Sequence, residues 1–96
     1  MTAKLSETDR AKALKKLPLW KEAAGRDAIT RKFVFADFNQ AFGFMTRAAM
    51  KIEKLDHHPE WFNLHRLVEV TLTTHDCRGV SEKDIALATL LDEVAT

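Results

Sequence analysis

Leu67-Val68-Glu69-Val70-Thr71-Leu72-Thr73-Thr74 decides the fold class. Val68, Val70 and Leu72 alternate with Glu69, Thr71 and Thr73, the period of two that sends successive side chains to opposite faces of a strand. One face is apolar and the other polar, as in an antiparallel sheet covered on a single side; a parallel strand buried on both faces reads as an unbroken apolar run. Trp61 to His65, just upstream, also has strand character, and Leu55 to Pro59 before it forms a loop. Asp37 starts the longest helix, with Gln40 at its N3 position; Phe38, Ala41, Phe42, Met45, Ala49 and Ile52 recur at a helical period to about Lys54 and are expected to face the core. A second set on that helix, Phe44, Ala48 and Lys51, widens the apolar surface beyond what one sheet covers and points to a helix–helix contact between subunits. Leu19 to Ala23 and Ala28 to Phe35 flank the turn residues Ala24-Gly25-Arg26-Asp27 and predict a hairpin, with Ile29, Phe33 and Phe35 on one face, Thr30 and Lys32 on the other, and Arg31 at a rim. Ser6 to Leu17 predicts the first helix: Ser6 and Asp9 fit a capping box, Ala11, Leu14 and Leu17 are spaced helically, and Pro18 closes it. Its Arg10, Lys12, Lys15 and Lys16 read as a solvated basic face. After Leu72, Arg78-Gly79-Val80 turns the chain, and Ser81 with Asp84 caps a last helix carrying Leu87, Leu90, Leu91 and Val94. The order α-β-β-α-β-β-α predicts an α+β domain: a four-stranded antiparallel sheet with three helices on one face.

Size and charge narrow the function. The 96 residues, with 15 Lys+Arg against 14 Asp+Glu, suit a single domain over 1–96 and exclude a multidomain enzyme. A net charge of +1 argues against direct nucleic-acid binding, which concentrates Lys and Arg to replace condensed counterions. The composition, 46% hydrophobic and 30% charged, is that of a globular domain, without the long apolar run of a membrane span. Residues 1–10 carry Lys4, Glu7, Asp9 and Arg10 and no apolar signal segment, and a lone Cys77 agrees with a reducing compartment, so a cytoplasmic protein is expected. A domain this small buries only about two-thirds of its unfolded surface, so self-association is an expected support.

All four histidines, His57, His58, His65 and His75, lie between positions 57 and 75. His57 and His58 follow a helix and precede Pro59, and His75 ends a strand, so three imidazoles come from loop or terminal positions where functional groups concentrate. Imidazole titrates near neutrality; two or three around a cavity can take a proton from one substrate atom and deliver one to another. Surface histidines without a role are the bland alternative. Zinc ligation with Glu53 or Asp76 is a weaker one, because the adjacent His57 and His58 diverge and no His-x-x-x-His pair is present.

Glu53-Lys54-Leu55-Asp56-His57-His58-Pro59-Glu60-Trp61-Phe62-Asn63, then Thr71-Leu72-Thr73-Thr74-His75-Asp76, then Asp84, resemble the pterin-4a-carbinolamine dehydratase family in residue type and spacing. Gly25-Arg26-Asp27-Ala28-Ile29, Asp37-Phe38-Asn39 and Ala41-Phe42-Gly43-Phe44-Met45-Thr46-Arg47 are similar to its signatures as well, so the likeness runs from about Leu17 to the C-terminus. His65 stands where the family motif has an aromatic residue and inherits no role. The resemblance implies dehydration of 4a-hydroxytetrahydrobiopterin to quinonoid dihydropterin, the recycling step after aromatic amino-acid hydroxylation, with no cofactor and no metal. It assigns acid–base positions to His57, His58 and His75 with Glu53 as acidic neighbour, and substrate contacts to those histidines, Pro59, Trp61, Thr74, Asp76 and Cys77. Trp61 can equally serve the core, and Asp84, the last motif residue, equally the helix cap. The resemblance further implies a homodimer or homotetramer and, as the alternative function, a dimerisation cofactor that binds a helix of a homeodomain transcription factor, in which case an animal protein would also enter the nucleus.

Overall fold

A computed structural model describes residues 2–96. Its elements are α1 (Glu7–Lys15), β1 (Lys21–Glu22), β2 (Ile29–Val34), α2 (Phe38–Leu55), β3 (Glu60–Leu64), β4 (Leu67–Leu72), a 3₁₀ turn (His75–Cys77) and α3 (Glu82–Ala95). The strands form one antiparallel sheet in the order β1-β2-β4-β3, so the alternating stretch at 67–72 is a central strand. Its register places Ile29 opposite Leu72, Phe33 opposite Val68 and Trp61 opposite Val70. These side chains share the inner face, where one apolar cluster joins them to Ala41, Phe44, Ala48 and Ile52 of α2, Leu87, Ala88 and Leu91 of α3, and Leu17 just beyond α1. Thr30, Lys32, Glu69 and Thr71 share the outer face with the exposed Val34, Phe62 and Leu64. The α+β class, the element order and the layering of three helices on a four-stranded sheet are those the sequence predicts.

The buried stripe of α2 differs from expectation. Ala41, Phe44, Ala48 and Ile52 are buried, whereas Phe38, Phe42 and Ala49 are exposed and Met45 is partly covered. Of the set expected to face the core, Ala41, Ile52 and the partly covered Met45 do so while Phe38, Phe42 and Ala49 form the flank, and of the expected flank Phe44 and Ala48 are core and Lys51 is exposed. The apolar arc of this helix is wider than the sheet it covers, so periodicity alone does not say which edge turns inward. Packing decides: Phe44 lies 4.8 Å from the Phe33 ring centroid and 5.0 Å from that of Phe35, completing an aromatic cluster.

Boundaries shift where other partners take over the backbone. β1 shrinks to two residues, and α1 ends at Lys15 with no buried residue of its own, Ser6 accepting from the Asp9 amide as its cap. Arg31 is drawn in from the rim, its guanidinium 4.0 Å above the Phe33 ring and paired with Asp92 of α3, which also accepts from Trp20 Nε1. No described helix is long and apolar enough to cross a membrane.

Candidate active site

The site is assembled by three chain reversals. α2 ends at Asp56, whose left-handed backbone (φ 54°) turns the chain while its amide still donates to the Ile52 carbonyl at 3.0 Å. His57 follows immediately. Its Nε2 lies 2.7 Å from Oδ1 of Asp84, which has no exposed surface. The other Asp84 oxygen, Oδ2, accepts from the Ser81 amide at 2.9 Å and the Thr74 hydroxyl at 2.7 Å, and the Thr74 and Ser81 hydroxyls are 2.6 Å apart. One carboxylate therefore closes the capping box of α3 and anchors His57 together, so cap and site coincide in Asp84. With Nε2 committed, His57 keeps Nδ1 for other work. Glu53, expected as the acidic neighbour of His57, is exposed on α2 and pairs with no histidine among the described residues; the buried acid that meets His57 is Asp84.

His58 lies at the surface. Its side chain is 60% exposed, with Nε2 3.8 Å from Oδ1 of Asp56, a pairing that acts only when the imidazole is protonated. Pro59 bridges from it into β3. Trp61 is half-buried against the core cluster, which favours its packing role.

His75 lies outside the sheet, because β4 stops at Leu72. Thr74 and Gly79 then pair through two backbone bonds of 2.9 and 3.2 Å, and between them His75–Cys77 forms the 3₁₀ turn, capped by Arg78 at φ 55°. Thr74 is buried, Asp76 is exposed, and the Cys77 sulfur sits 3.7 and 3.5 Å from the carbonyls of Thr74 and Gly79. His75 lines an open cavity of about 250 Å³ with Arg26, Asp27, Glu60, Thr73, Thr74 and Arg78. Of these, sequence reasoning placed only Thr74 and His75 in the site.

The others arrive through the β1–β2 turn. Its Asp27 accepts the Thr73 hydroxyl on its carbonyl at 2.9 Å and the Val80 amide on Oδ1 at 3.1 Å, clamping both ends of the His75 turn. The same carboxylate pairs with Arg10 and Lys4, and chiefly the Arg10 bond holds its pKa down at about 2. Gly79 must lack a side chain here, since a Cβ would lie 2.6 Å from Asp27 Oδ2. Arg26 grips Glu60 through two bonds of 2.7 and 2.8 Å. That bond, and more weakly the charge of nearby His75, keep the Glu60 pKa below the usual carboxylate range. Arg26 and Asp27 stood in the sequence as turn residues; nothing in their spacing showed that the turn folds over the end of β4.

His65 is remote from this end. It occupies the β3–β4 turn at φ 52°, braced by Asn63, whose Nδ2 donates to the carbonyls of His65 at 3.0 Å and Leu67 at 2.9 Å. Glu60 opens β3 at the site and Leu64 closes it before the turn, so the length of the strand separates His65 from the other three histidines. No group of three or more His, Cys, Asp or Glu side chains arranged to hold a metal ion occurs among the described residues.

The sequence profile of a family described as pterin 4 alpha carbinolamine dehydratase matches residues 3–94. The chain belongs to that family. A Paraburkholderia xenovorans protein provisionally named as a pterin-4-alpha-carbinolamine dehydratase is 54% identical over 94 residues, 98% of each chain. A Nitrobacter winogradskyi protein of the same provisional name is 55% identical over 95 residues, 99% of this chain and 94% of that one. The crystal structure of a transcriptional coactivator/pterin dehydratase from Brucella melitensis superposes with a TM-score of 0.93 at 50% identity, covering 97% of this chain and 99% of that one. Pterin carbinolamine dehydratase family membership thus spans every element that builds the site, from the β1–β2 turn to the cap of α3.

Proposed function

We propose that residues 1–96 act as one cytoplasmic dehydratase domain that removes water from 4a-hydroxytetrahydrobiopterin, giving quinonoid dihydropterin, by histidine acid–base catalysis. The observation that carries this reading is His57 fastened to the buried Asp84, whose other oxygen holds Thr74 next to the exposed His75, in a chain of this family. The reaction breaks the C4a–O bond, whose hydroxyl leaves as water on gaining a proton, while N5 gives up its own. His58, whose side chain is 60% exposed, is the principal acid–base group. His57, held in one orientation by Asp84, and His75, in the cavity, orient the substrate and share the proton transfer. Pro59 and the backbone of Thr74, Asp76 and Cys77 line the substrate's approach, and Glu53 contributes only charge from the end of α2. The protein works as a homodimer or homotetramer built on the exposed flank of α2, where the Phe38 and Phe42 rings lie 5.7 Å apart.

The test follows dehydration of enzymatically generated 4a-carbinolamine by ultraviolet absorbance, with chelator present. The protein accelerates the reaction, and alanine at His57, His58 or His75 lowers kcat/KM in each case, most at His58 and by about 10²-fold or more. His65→Ala changes little, because that side chain belongs to a distant turn. No acceleration by the folded protein, or a folded His58→Ala variant at the parental rate, would overturn the assignment.

A further inference from the structure

We infer that Glu60 is the substrate-recognition carboxylate of this site, and that Arg26 occupies it in the free protein in the way the amino-lactam edge of a pterin does when bound. The inference rests on the dehydratase reading and deepens it. Two carboxylates line the cavity that holds His75, namely Asp27 and Glu60. Asp27 is committed: its side-chain oxygens are taken by Arg10, Lys4 and the Val80 amide, and the fold of the His75 turn hangs on them. Among the described residues Glu60 has one partner, Arg26, whose two terminal nitrogens approach its two oxygens at 2.7 and 2.8 Å. A guanidinium presents two parallel N–H donors to a carboxylate. The 2-amino-4-oxopyrimidine half of a pterin presents the same pair, the N3–H and the 2-amino group, on one edge of a flat ring.

Exchange between the two is cheap. Both side chains are about half exposed, and exposed ion pairs contribute little, so a ligand can open this one. Glu60 stays ionised at neutral pH, ready to accept charge-assisted hydrogen bonds. The cavity, about 250 Å³, falls just short of the roughly 300–1,000 Å³ typical of drug-sized ligands and suits a flat two-ring head group. A ring held by Glu60 is then presented to His75 across the same cavity.

The experiment compares binding of 7,8-dihydropterin and 7,8-dihydrolumazine by calorimetric titration. The second probe replaces the 2-amino group with a carbonyl, so it offers the carboxylate an oxygen where the first offers N–H. The parent protein prefers dihydropterin by roughly tenfold or more, the discrimination expected of a charged acceptor facing the wrong group. Glu60→Gln loses about tenfold in dihydropterin affinity, and the preference falls toward unity, because an amide can also donate to the lumazine carbonyl. Arg26→Gln, which frees the carboxylate, keeps the preference and binds dihydropterin as tightly as the parent or up to about fivefold tighter. Circular dichroism confirms that both variants fold. An unchanged preference in Glu60→Gln, or a tenfold loss of dihydropterin binding in Arg26→Gln, overturns the inference while a dehydratase-active parent leaves the function standing. A folded parent that neither binds dihydropterin nor dehydrates the carbinolamine overturns both.

Discussion

Asp84 shows how much one buried side chain can carry. It has no exposed surface, and its oxygens meet His57, Thr74 and the Ser81 amide, so every bond it makes is shielded from water. Asp84→Asn keeps the shape and an acceptor for the Ser81 amide but replaces the acceptor that fixes the His57 ring. It is expected to lower kcat/KM on the order of 10²-fold with a modest loss of stability, since an orienting acid sets both tautomer and aim. Asp84→Ala strands the Ser81 amide and the Thr74 hydroxyl as well, and a chemical denaturation midpoint should report a loss of roughly 3 kcal/mol. An Asp84→Asn protein at the parental rate would show that the His57 contact is structural only. His65 makes the opposite point: a histidine in the same stretch of sequence serves a turn, where the left-handed backbone and the Asn63 brace account for it.

Among the elements, α2 is the one with two apolar faces and one sheet to cover them. Phe44 is enclosed by Phe33 and Phe35, whereas Phe42, two residues earlier and so on the far side of the helix, is more than half exposed. The two phenylalanines should therefore separate folding from assembly. Phe44→Ala is expected to cost about 3–5 kcal/mol through the cavity it leaves. Phe42→Ser should leave the thermal midpoint of the isolated chain nearly unchanged yet weaken self-association. Analytical ultracentrifugation at micromolar concentration checks this: the parent sediments as a dimer or larger and Phe42→Ser shifts toward monomer. A monomeric parent would contradict the proposed use of the flank.

Across the whole molecule, Asp27 is where separate segments meet. The N-terminal arm reaches it through Lys4, α1 through Arg10, and the His75 turn through Val80 and Thr73, while the arm also pairs with the start of α3 by way of Leu5 and Val80. α1 buries no residue, so these ion pairs, with the Arg10–Glu22 pair beside them, are what tie its polar face to the sheet. The Asp27 pKa is depressed in the folded state, so its contribution to stability is present above the unfolded value of about 4 and is lost as pH falls toward about 2. Urea midpoints measured from pH 7 to pH 2 should fall in that interval. Asp27→Asn should be less stable at pH 7 and show a shallower fall below pH 4. Equal slopes for the two proteins would mean that other carboxylates dominate the acid transition.

The elements and their order are legible along the chain, because alternation in 67–72, the helical period after Asp37 and the Ser81–Asp84 cap are local signals that tertiary packing reinforces. The family resemblance of residues 53–63 and 71–76 is what nominates His57, His58 and His75 for one candidate site. Long-range packing sets which edge of the over-wide α2 stripe faces the sheet, makes Asp84 instead of Glu53 the acid that meets His57, and has the β1–β2 turn deliver Arg26 and Asp27 to the end of β4. These contacts join residues far apart along the chain. His57 and Asp84 are 27 positions apart, Arg26 and Glu60 are 34, and no local period relates residues whose meeting is set by sheet register and by the packing of helices over it.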